Sequence, residues 1–194
     1  MIAAEYARNF PADKVIIGDA HKFLLDNYKK YDIVWTSRPC VTHSKVNLFK
    51  ELKRYPDLGL YQEIIFLRAF FKGKFVCENV VPYYEPVIAP DFNICRHLFW
   101  TNVPTLTPVE LPPYPKKFIA YRHAMAMMNR QDLCNWLGIT VGDKKIHLSG
   151  KNTAQIYRNC VHPLLGRSVM DDILNSMMHT TKNHIENEKN RISA

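Results

Sequence analysis

The sequence lacks long hydrophobic runs. No apolar stretch reaches the ~18 residues that a membrane-spanning helix needs. The first residues also lack the basic and then apolar pattern of a secretory signal. Both absences predict a cytoplasmic protein with no membrane partner.

Paired cysteine motifs are missing as well. The five cysteines, at positions 40, 77, 95, 134 and 160, are odd in number and show no Cys-x-x-Cys spacing. Disulfide frameworks use even numbers of cysteines, and zinc sites use closely spaced pairs. The sequence therefore predicts reduced thiols, with neither a disulfide scaffold nor a metal site.

Acidic residues are scarce relative to basic ones. The chain has 26 Lys and Arg residues against 18 Asp and Glu, which gives a formal net charge of +8. Such an excess is compatible with a polyanionic partner, because each neutralised phosphate releases counterions. It is equally compatible with a soluble protein that is merely basic. Charge alone limits the partners without choosing one.

The first hundred residues alternate short apolar runs with segments of helical periodicity, typical of an α/β domain with a mainly parallel sheet. The runs predict strands at 14–19, 32–37, 74–80 and 96–103, and the periodic segments predict helices at 20–31 and 58–73. Ligands bind beyond the carboxyl ends of parallel strands. Asp19, Cys40 and Glu78 lie just past the ends of apolar runs, so we expect one sheet edge to gather all three.

The composition changes near residue 103. The stretch "VPTLTPVELPPYPKK" holds five prolines in fifteen residues, which prevents a regular element. We interpret it as the start of a small second region, 103–150, that follows a core spanning 1–102. Helical periodicity returns in the segment 151–180, and residues 181–194 are predicted to be a polar, frayed tail.

Cys40 has features that a thiol nucleophile needs. Pro39 restricts the backbone before it, and a predicted strand end would hold its side chain in place. The nearby side chains of Arg38, His43 and Lys45 are candidates to favour the reactive thiolate. A cysteine after a proline is more often a small buried apolar residue. From these residues alone both interpretations stay open.

Glu78 and Asn79 stand side by side at the end of the predicted strand 74–80. A charge in such a place is costly unless it is paired or used. Glu78 is a candidate proton donor to a ring nitrogen, and Asn79 is a candidate to orient it. The alternative is a turn whose polar residues cap the next segment.

Taken in order, six segments resemble motifs of the DNA cytosine-5 methyltransferase family. "SRPCVTHS" is similar to its Pro-Cys motif, and "ENV" matches its Glu-Asn-Val motif 38 residues further on, a gap suited to one helical crossover between adjacent strands. "IAAEYARNFP" and "IIGDAHKF" resemble the two motifs that hold the cofactor's ribose and adenine. "CRHLFWTN" lies where the family has Arg-x-Arg, and "AQIYRNCVHPLLGRSVMDDIL" resembles its last motif.

The resemblance implies a Rossmann-like methyltransferase sheet and transfer of a methyl group from S-adenosylmethionine to carbon 5 of a flipped-out cytosine. Cys40 would attack ring carbon 6 and Glu78 would act on ring nitrogen 3. The catalytic set that the resemblance implies is Cys40, Glu78, Asn79 and His97. The cofactor set is Glu5, Asp19, Pro39, Asn159 and Val161. The set facing double-stranded DNA is Ser44, Lys45 and Arg96, and the region 103–150 would recognise the target.

The chain departs from the family at its front, where no Phe-x-Gly-x-Gly turn occurs among the seven glycines. The resemblance therefore implies an N-terminally truncated sheet, and a second chain is a candidate to supply the missing motif. Besides a methyltransferase of a restriction-modification or phage system, a catalytically silent DNA-binding remnant or split-enzyme subunit remains an alternative. A thiol enzyme unrelated to DNA, with His43 or His97 as partner, is the third option.

Overall fold

The computed structural model describes residues 2–51, 54–113, 130–139 and 160–192. The helices are α1 (Ile2–Asn9), α2 (Ala20–Asn27), α3 (Gly59–Phe70), α4 (Arg130–Leu137) and α5 (Pro163–Ile192). The strands are β1 (Ile33–Ser37), β2 (Lys74–Val80), β3 (Phe92–Ile94) and β4 (His97–Thr101). No helix in these ranges is both long and apolar enough to span a membrane.

The four strands form one mixed sheet in the order β1-β2-β4-β3. β1 and β2 are parallel, whereas β4 runs antiparallel to both of its neighbours. The predicted α/β class agrees with this architecture. The prediction of a mainly parallel sheet is wrong, because the short turn between β3 and β4 reverses the chain into a hairpin, which parallel strands cannot form.

The parallel pair β1–β2 is joined by the crossover helix α3, as the 38-residue gap predicted. Leu60, Ile64 and Leu67 recur at helical spacing and are almost wholly buried. They belong to the same core cluster as Phe75 and Cys77 of β2. Each such side chain contributes about 1.5–3 kcal/mol on burial, so this cluster fixes the two strands next to each other.

Gly73 makes the return from α3 into β2 possible. A Cβ atom there would lie 2.1 Å from the carbonyl oxygen of Asp32, a distance that no real side chain tolerates. The same carbonyl accepts a hydrogen bond from the Lys74 amide at 2.9 Å. Glycine therefore allows the backbones to approach closely at the start of the parallel pair.

The prediction of a strand at 14–19 is wrong. Residues 14–17 have no regular secondary structure, and Ile17 is 83% exposed. Asp19 instead caps α2, since its Oδ1 accepts a hydrogen bond from the Lys22 amide at 3.0 Å. An apolar run becomes a strand only where another strand pairs with it, and in the described residues no strand pairs with this segment.

The hairpin between β3 and β4 has a two-residue loop, Cys95-Arg96, because Ile94 pairs with His97. Cys95 has a φ of 58°, in the left-handed region that side chains with a Cβ adopt at a cost. The sequence offered little sign of β3, which has only three residues.

We expect Cys95→Gly to raise the free energy of unfolding by about 1 kcal/mol, because glycine adopts this conformation without the steric cost. Urea unfolding followed by circular dichroism measures the change. Arg96→Gly in the same loop is the matched control, since Arg96 is not among the residues with positive φ, and it should give no gain. Equal effects of both substitutions would contradict a role for backbone strain.

Contacts divide the chain into two compact units, one of Met1–Gly18 with Val109–Arg167 and one of Asp19–Pro108 with Ser168–Ala194. The predicted segment boundaries at 102, 150 and 180 do not coincide with them.

In the first unit, Leu133, Cys134 and Leu137 of α4 form a small core. In the second, Thr107 donates two hydrogen bonds to the carboxylate of Asp172 on α5, at 2.6 and 2.9 Å. The backbone of α5 continues to Ile192, so the predicted frayed tail is helical over most of its length.

Candidate active site at the ends of the parallel strands

Cys40 begins a short 3-10 turn, Cys40–Thr42, directly beyond β1. Its carbonyl oxygen accepts hydrogen bonds from the amides of His43 and Ser44 at 3.0 and 2.9 Å. Ser44 forms an isolated bridge with Pro82, which lies just after β2. The thiol is half-buried. The turn is thus held by its own hydrogen bonds and by the chain that leaves the neighbouring strand.

Glu78 lies in β2, as predicted, and is opposite Ser37 at the end of β1. It is 6% exposed. Its Oε1 lies 2.5 Å from Nδ1 of His97, which is 5% exposed. Because Phe99 is the direct partner of Glu78, His97 is the diagonal neighbour on the same sheet face. The two buried polar groups therefore satisfy each other.

The side-chain hydrogen bonds of Asn79 do not involve Glu78. Successive strand residues point to opposite sheet faces, so its side chain lies on the other side. Its Nδ2 donates to the carbonyl oxygen of Arg38 at 3.2 Å, and its Oδ1 accepts from the Val80 amide at 2.9 Å. Asn79 consequently ties β2 to the residues that precede Cys40.

Cys40 and Glu78 share one electrostatic environment. Burial is the largest cause that raises the pKa of the Cys40 thiol, and the Glu78 carboxylate raises it further. The Arg96 guanidinium and a backbone hydrogen bond lower it in part. One charged group changes the pKa of another appreciably only when the two are close in space. The strand pairing therefore brings the predicted nucleophile and the predicted acid to one place.

The Arg96 guanidinium lowers the pKa of the Cys40 thiol. The hairpin loop at 95–96 brings Arg96 in from a distant part of the sequence. Of the cations predicted from the sequence, Arg38 is paired with Glu63 and Asp57, His43 is buried, and Lys45 is exposed.

Arg96→Gln is expected to slow alkylation of Cys40 by iodoacetamide at pH 7, because loss of the guanidinium raises the thiol pKa further and reduces the thiolate fraction. A reduction of about two- to tenfold corresponds to a change of up to about one pKa unit. Mass spectrometry of the Cys40 peptide against time gives the rate. Lys45→Gln, an exposed cation near in sequence, is the control and should leave the rate unchanged. Equal slowing in both variants would assign the effect to net charge.

The predicted cofactor residues are divided between the two units. Asp19 and Pro39 belong to the unit that holds Cys40, whereas Glu5 lies on α1 and Val161 precedes α5 in the other unit. Asn159 lies outside the described residues. Asp19 is exposed, and its hydrogen bond from the Lys22 amide holds the pKa of its carboxyl below the usual range. The contact that the structure shows for Asp19 is thus the cap of α2, and its predicted role at the adenine stays a prediction.

The three residues predicted to face DNA all lie in the unit of Cys40. Lys45 and Arg96 are exposed, and Ser44 is half-buried at its bridge with Pro82. Two cations near the half-buried thiol are compatible with phosphate contacts.

Two groups of residues near Cys40 were missed. His43 is 1% exposed and shares a hydrogen bond with the hydroxyl of Tyr84, which also receives one from Tyr61 at 3.2 Å. Burial lowers the pKa of His43. The second group joins Arg38 to Glu63. Spacing in the sequence gives no signal for either group, because their members lie 23 to 41 residues apart.

Among the described residues, no group of three or more His, Cys, Asp or Glu side chains is placed to hold a metal ion. Comparison of the chain with protein-family models, with curated proteins and with solved structures found no match.

Proposed function

We propose that this chain is the catalytic part of a DNA cytosine-5 methyltransferase. The observation that carries the proposal is the placement of Cys40 and Glu78 at the ends of two adjacent parallel strands, within electrostatic reach of each other. The six motifs in the family's order add support. The segment of the Glu-Asn-Val motif contacts that of the Pro-Cys motif through the Asn79–Arg38 hydrogen bond, and it contacts "CRHLFWTN" through Glu78 and His97.

In this proposal Cys40 is the nucleophile. Its thiolate forms a bond to ring carbon 6 of cytosine, and the electron pair of the 5,6 double bond moves to carbon 5. Carbon 5 then accepts a methyl group and loses its proton to a base. The carbon–sulfur bond breaks, which restores the aromatic ring and returns the thiolate.

Glu78 acts on ring nitrogen 3, where negative charge develops as Cys40 attacks. A carboxylic acid there donates its proton or a strong hydrogen bond to the nitrogen. His97, 2.5 Å from Oε1, holds the carboxyl group in place and can restore its proton. The pair thereby takes the role that the family gives to a carboxyl group beside an arginine, with an imidazole as the neighbour.

The target base must leave the DNA duplex to reach these groups, at a cost of about a few kcal/mol. Exposed Lys45 and Arg96 would contact phosphates beside the flipped nucleotide and so offset part of this cost. S-adenosylmethionine supplies the methyl group when bound, and Asp19 would accept a hydrogen bond from its adenine amino group.

A methyl-transfer assay tests this proposal directly. The chain is incubated with tritiated S-adenosylmethionine and DNA of mixed sequence, and tritium in the DNA is counted after nucleoside analysis. Label in 5-methylcytosine supports the proposal. The same assay with 6-methyladenine as the only labelled product would overturn it.

A second candidate function is a DNA-binding subunit that transfers no methyl group by itself. One observation favours it: burial raises the pKa of the Cys40 thiol and so reduces the fraction present as the reactive thiolate. Adding a separate polypeptide that carries a strand and a Phe-x-Gly-x-Gly turn distinguishes the cases. Label that appears only after the addition indicates a split enzyme, and DNA retention without label in either reaction indicates a silent binding protein.

A further inference from the structure

Arg38, two residues before Cys40, makes the most extensive ionic contacts near the candidate site. Its Nη1 lies 2.6 Å from Oε1 of Glu63, and its Nη2 lies 3.0 Å from Oδ2 of Asp57. The Glu63 side chain is 4% exposed, whereas that of Asp57 is 42% exposed. The guanidinium therefore joins a buried carboxylate on α3 to a solvated one in the loop before α3.

The backbone of Arg38 is held as firmly as its side chain. Its carbonyl oxygen accepts the hydrogen bond from Asn79 of β2. A Cβ atom at Gly59 would lie 2.6 Å from Nη2 of Arg38, so the guanidinium packs directly against the start of α3 and would have to shift if residue 59 were larger. On the far side of Cys40, Thr42 accepts a hydrogen bond from the Asp57 amide at 3.0 Å. Both ends of the Cys40 turn are thus anchored to the same loop and helix.

Glu63 is the centre of this arrangement. Besides Arg38 it contacts Nδ1 of His21 on α2 at 3.3 Å. A buried carboxylate without a cation is strongly unfavourable, so Arg38 is required where it is. The positive charge of Arg38 also lowers the pKa of the Asp19 carboxyl and that of the His43 imidazole. Cys40 itself has Glu78 and Arg96 as its charged neighbours.

We propose that the Arg38–Glu63 ion pair is a positioning device that fixes how deeply the Cys40 thiol is buried and how it faces Glu78. The inference rests on the proposed function for its catalytic consequence, although its effect on the thiol is independent of any reaction with DNA. Arg38 acts through the Cys40 turn and is therefore a positioning residue.

Loosening the pair changes two properties of Cys40 in opposite directions. A more exposed thiol loses part of the burial that raises its pKa, so small reagents attack it faster at neutral pH. A less fixed thiol meets ring carbon 6 less often in the productive geometry, and a displacement of about 1 Å can reduce a reaction about 100-fold. General damage to the fold would also slow the enzymatic reaction, but it would speed the alkylation of other cysteines as well as that of Cys40.

The test uses the full chain with Arg38→Met and Glu63→Gln combined, because removing both charges leaves no uncompensated ion in the core. Iodoacetamide labelling of Cys40 at several pH values, read by peptide mass spectrometry, should be about tenfold faster at pH 7, with its midpoint at lower pH. Covalent capture on duplex DNA containing 5-fluorocytosine, with S-adenosylmethionine present, should be about 10- to 100-fold slower. Circular dichroism and thermal unfolding report whether the variant is folded.

Arg68→Gln is the matched control. It removes another ion pair of α3, between Arg68 and Asp91 at 2.8 Å. Neither residue of this pair is among those that anchor the Cys40 turn. Both rates should match those of the original protein. A folded double variant with unchanged labelling of Cys40 overturns the inference. If the original protein itself forms no DNA adduct, the proposed function fails, whereas the labelling result still decides the role of Arg38. Glu63→Gln alone, in which Arg38 keeps its ion pair with Asp57, is the second variant should the double variant not fold.

Discussion

Replacing Cys40 with serine is expected to abolish covalent capture of the protein on DNA that contains 5-fluorocytosine. Fluorine at carbon 5 cannot leave as a proton does, so the sulfur adduct at carbon 6 persists after methylation. A serine hydroxyl at this position stays protonated and is a far weaker nucleophile than a thiolate. Loss of a catalytic nucleophile reduces rates by up to about 10⁶-fold. Denaturing gel electrophoresis of labelled DNA with the cofactor present measures the adduct.

Cys95→Ser is the control for this experiment. Cys95 is an exposed thiol in the loop that carries Arg96, so its substitution tests whether another accessible sulfur forms the adduct. Capture should be retained in Cys95→Ser and lost in Cys40→Ser. Persistent capture by the Cys40 variant would transfer the nucleophile's role to another group and remove the central support for the proposed chemistry.

Local sequence patterns predicted most of the strands and helices of the unit that holds Cys40. Strands β1, β2 and β4 and helices α2 and α3 lie where apolar runs and helical spacing placed them. The parallel pairing of β1 with β2 followed from the 38-residue gap, because a crossover of that length contains one helix. The direction of β4 did not follow, since it depends on the two-residue hairpin at Cys95-Arg96 and on β3, which is too short to leave a pattern.

The segment 14–19 shows why an apolar run can mislead. Its Val-Ile-Ile sequence has high strand propensity, but propensity in strands is largely the energy of packing against a neighbour. Ile17 is exposed and Asp19 caps α2, so this segment leads into a helix and does not form a strand. Nothing within the run itself distinguishes these outcomes.

The candidate site was predicted in its residue types and only partly in its contacts. The sequence indicated Cys40 and Glu78, and the strand pairing brings them together. It named cations that are neighbours of Cys40 along the chain, whereas the fold also brings Arg96 to Cys40 from a distant segment and pairs Arg38 with Glu63. Electrostatic partners are set by distance in space, which a single sequence does not record.

Glu78→Gln is expected to slow methyl transfer by about 10²- to 10⁴-fold, the range associated with loss of a general acid. The amide has the same shape and can still accept the hydrogen bond from His97, but it cannot donate an acidic proton to ring nitrogen 3. Single-turnover incorporation of tritiated methyl groups gives the rate. Glu85→Gln removes an exposed carboxylate shortly after β2 and should leave the rate within about twofold.

Alkylation of Cys40 in the same Glu78→Gln variant should become faster at pH 7. The Glu78 carboxylate raises the pKa of the thiol, so its removal lowers that pKa and increases the thiolate fraction. Unfolding would also expose Cys40, but it would expose the buried thiol of Cys77 as well. Faster alkylation of Cys40 alone, together with a slower enzyme and unchanged labelling of Cys77, is the combination that the loss of an acid opposite the nucleophile requires. If methyl transfer instead rose in step with alkylation, Glu78 would only restrain Cys40, and ring nitrogen 3 would need another proton donor.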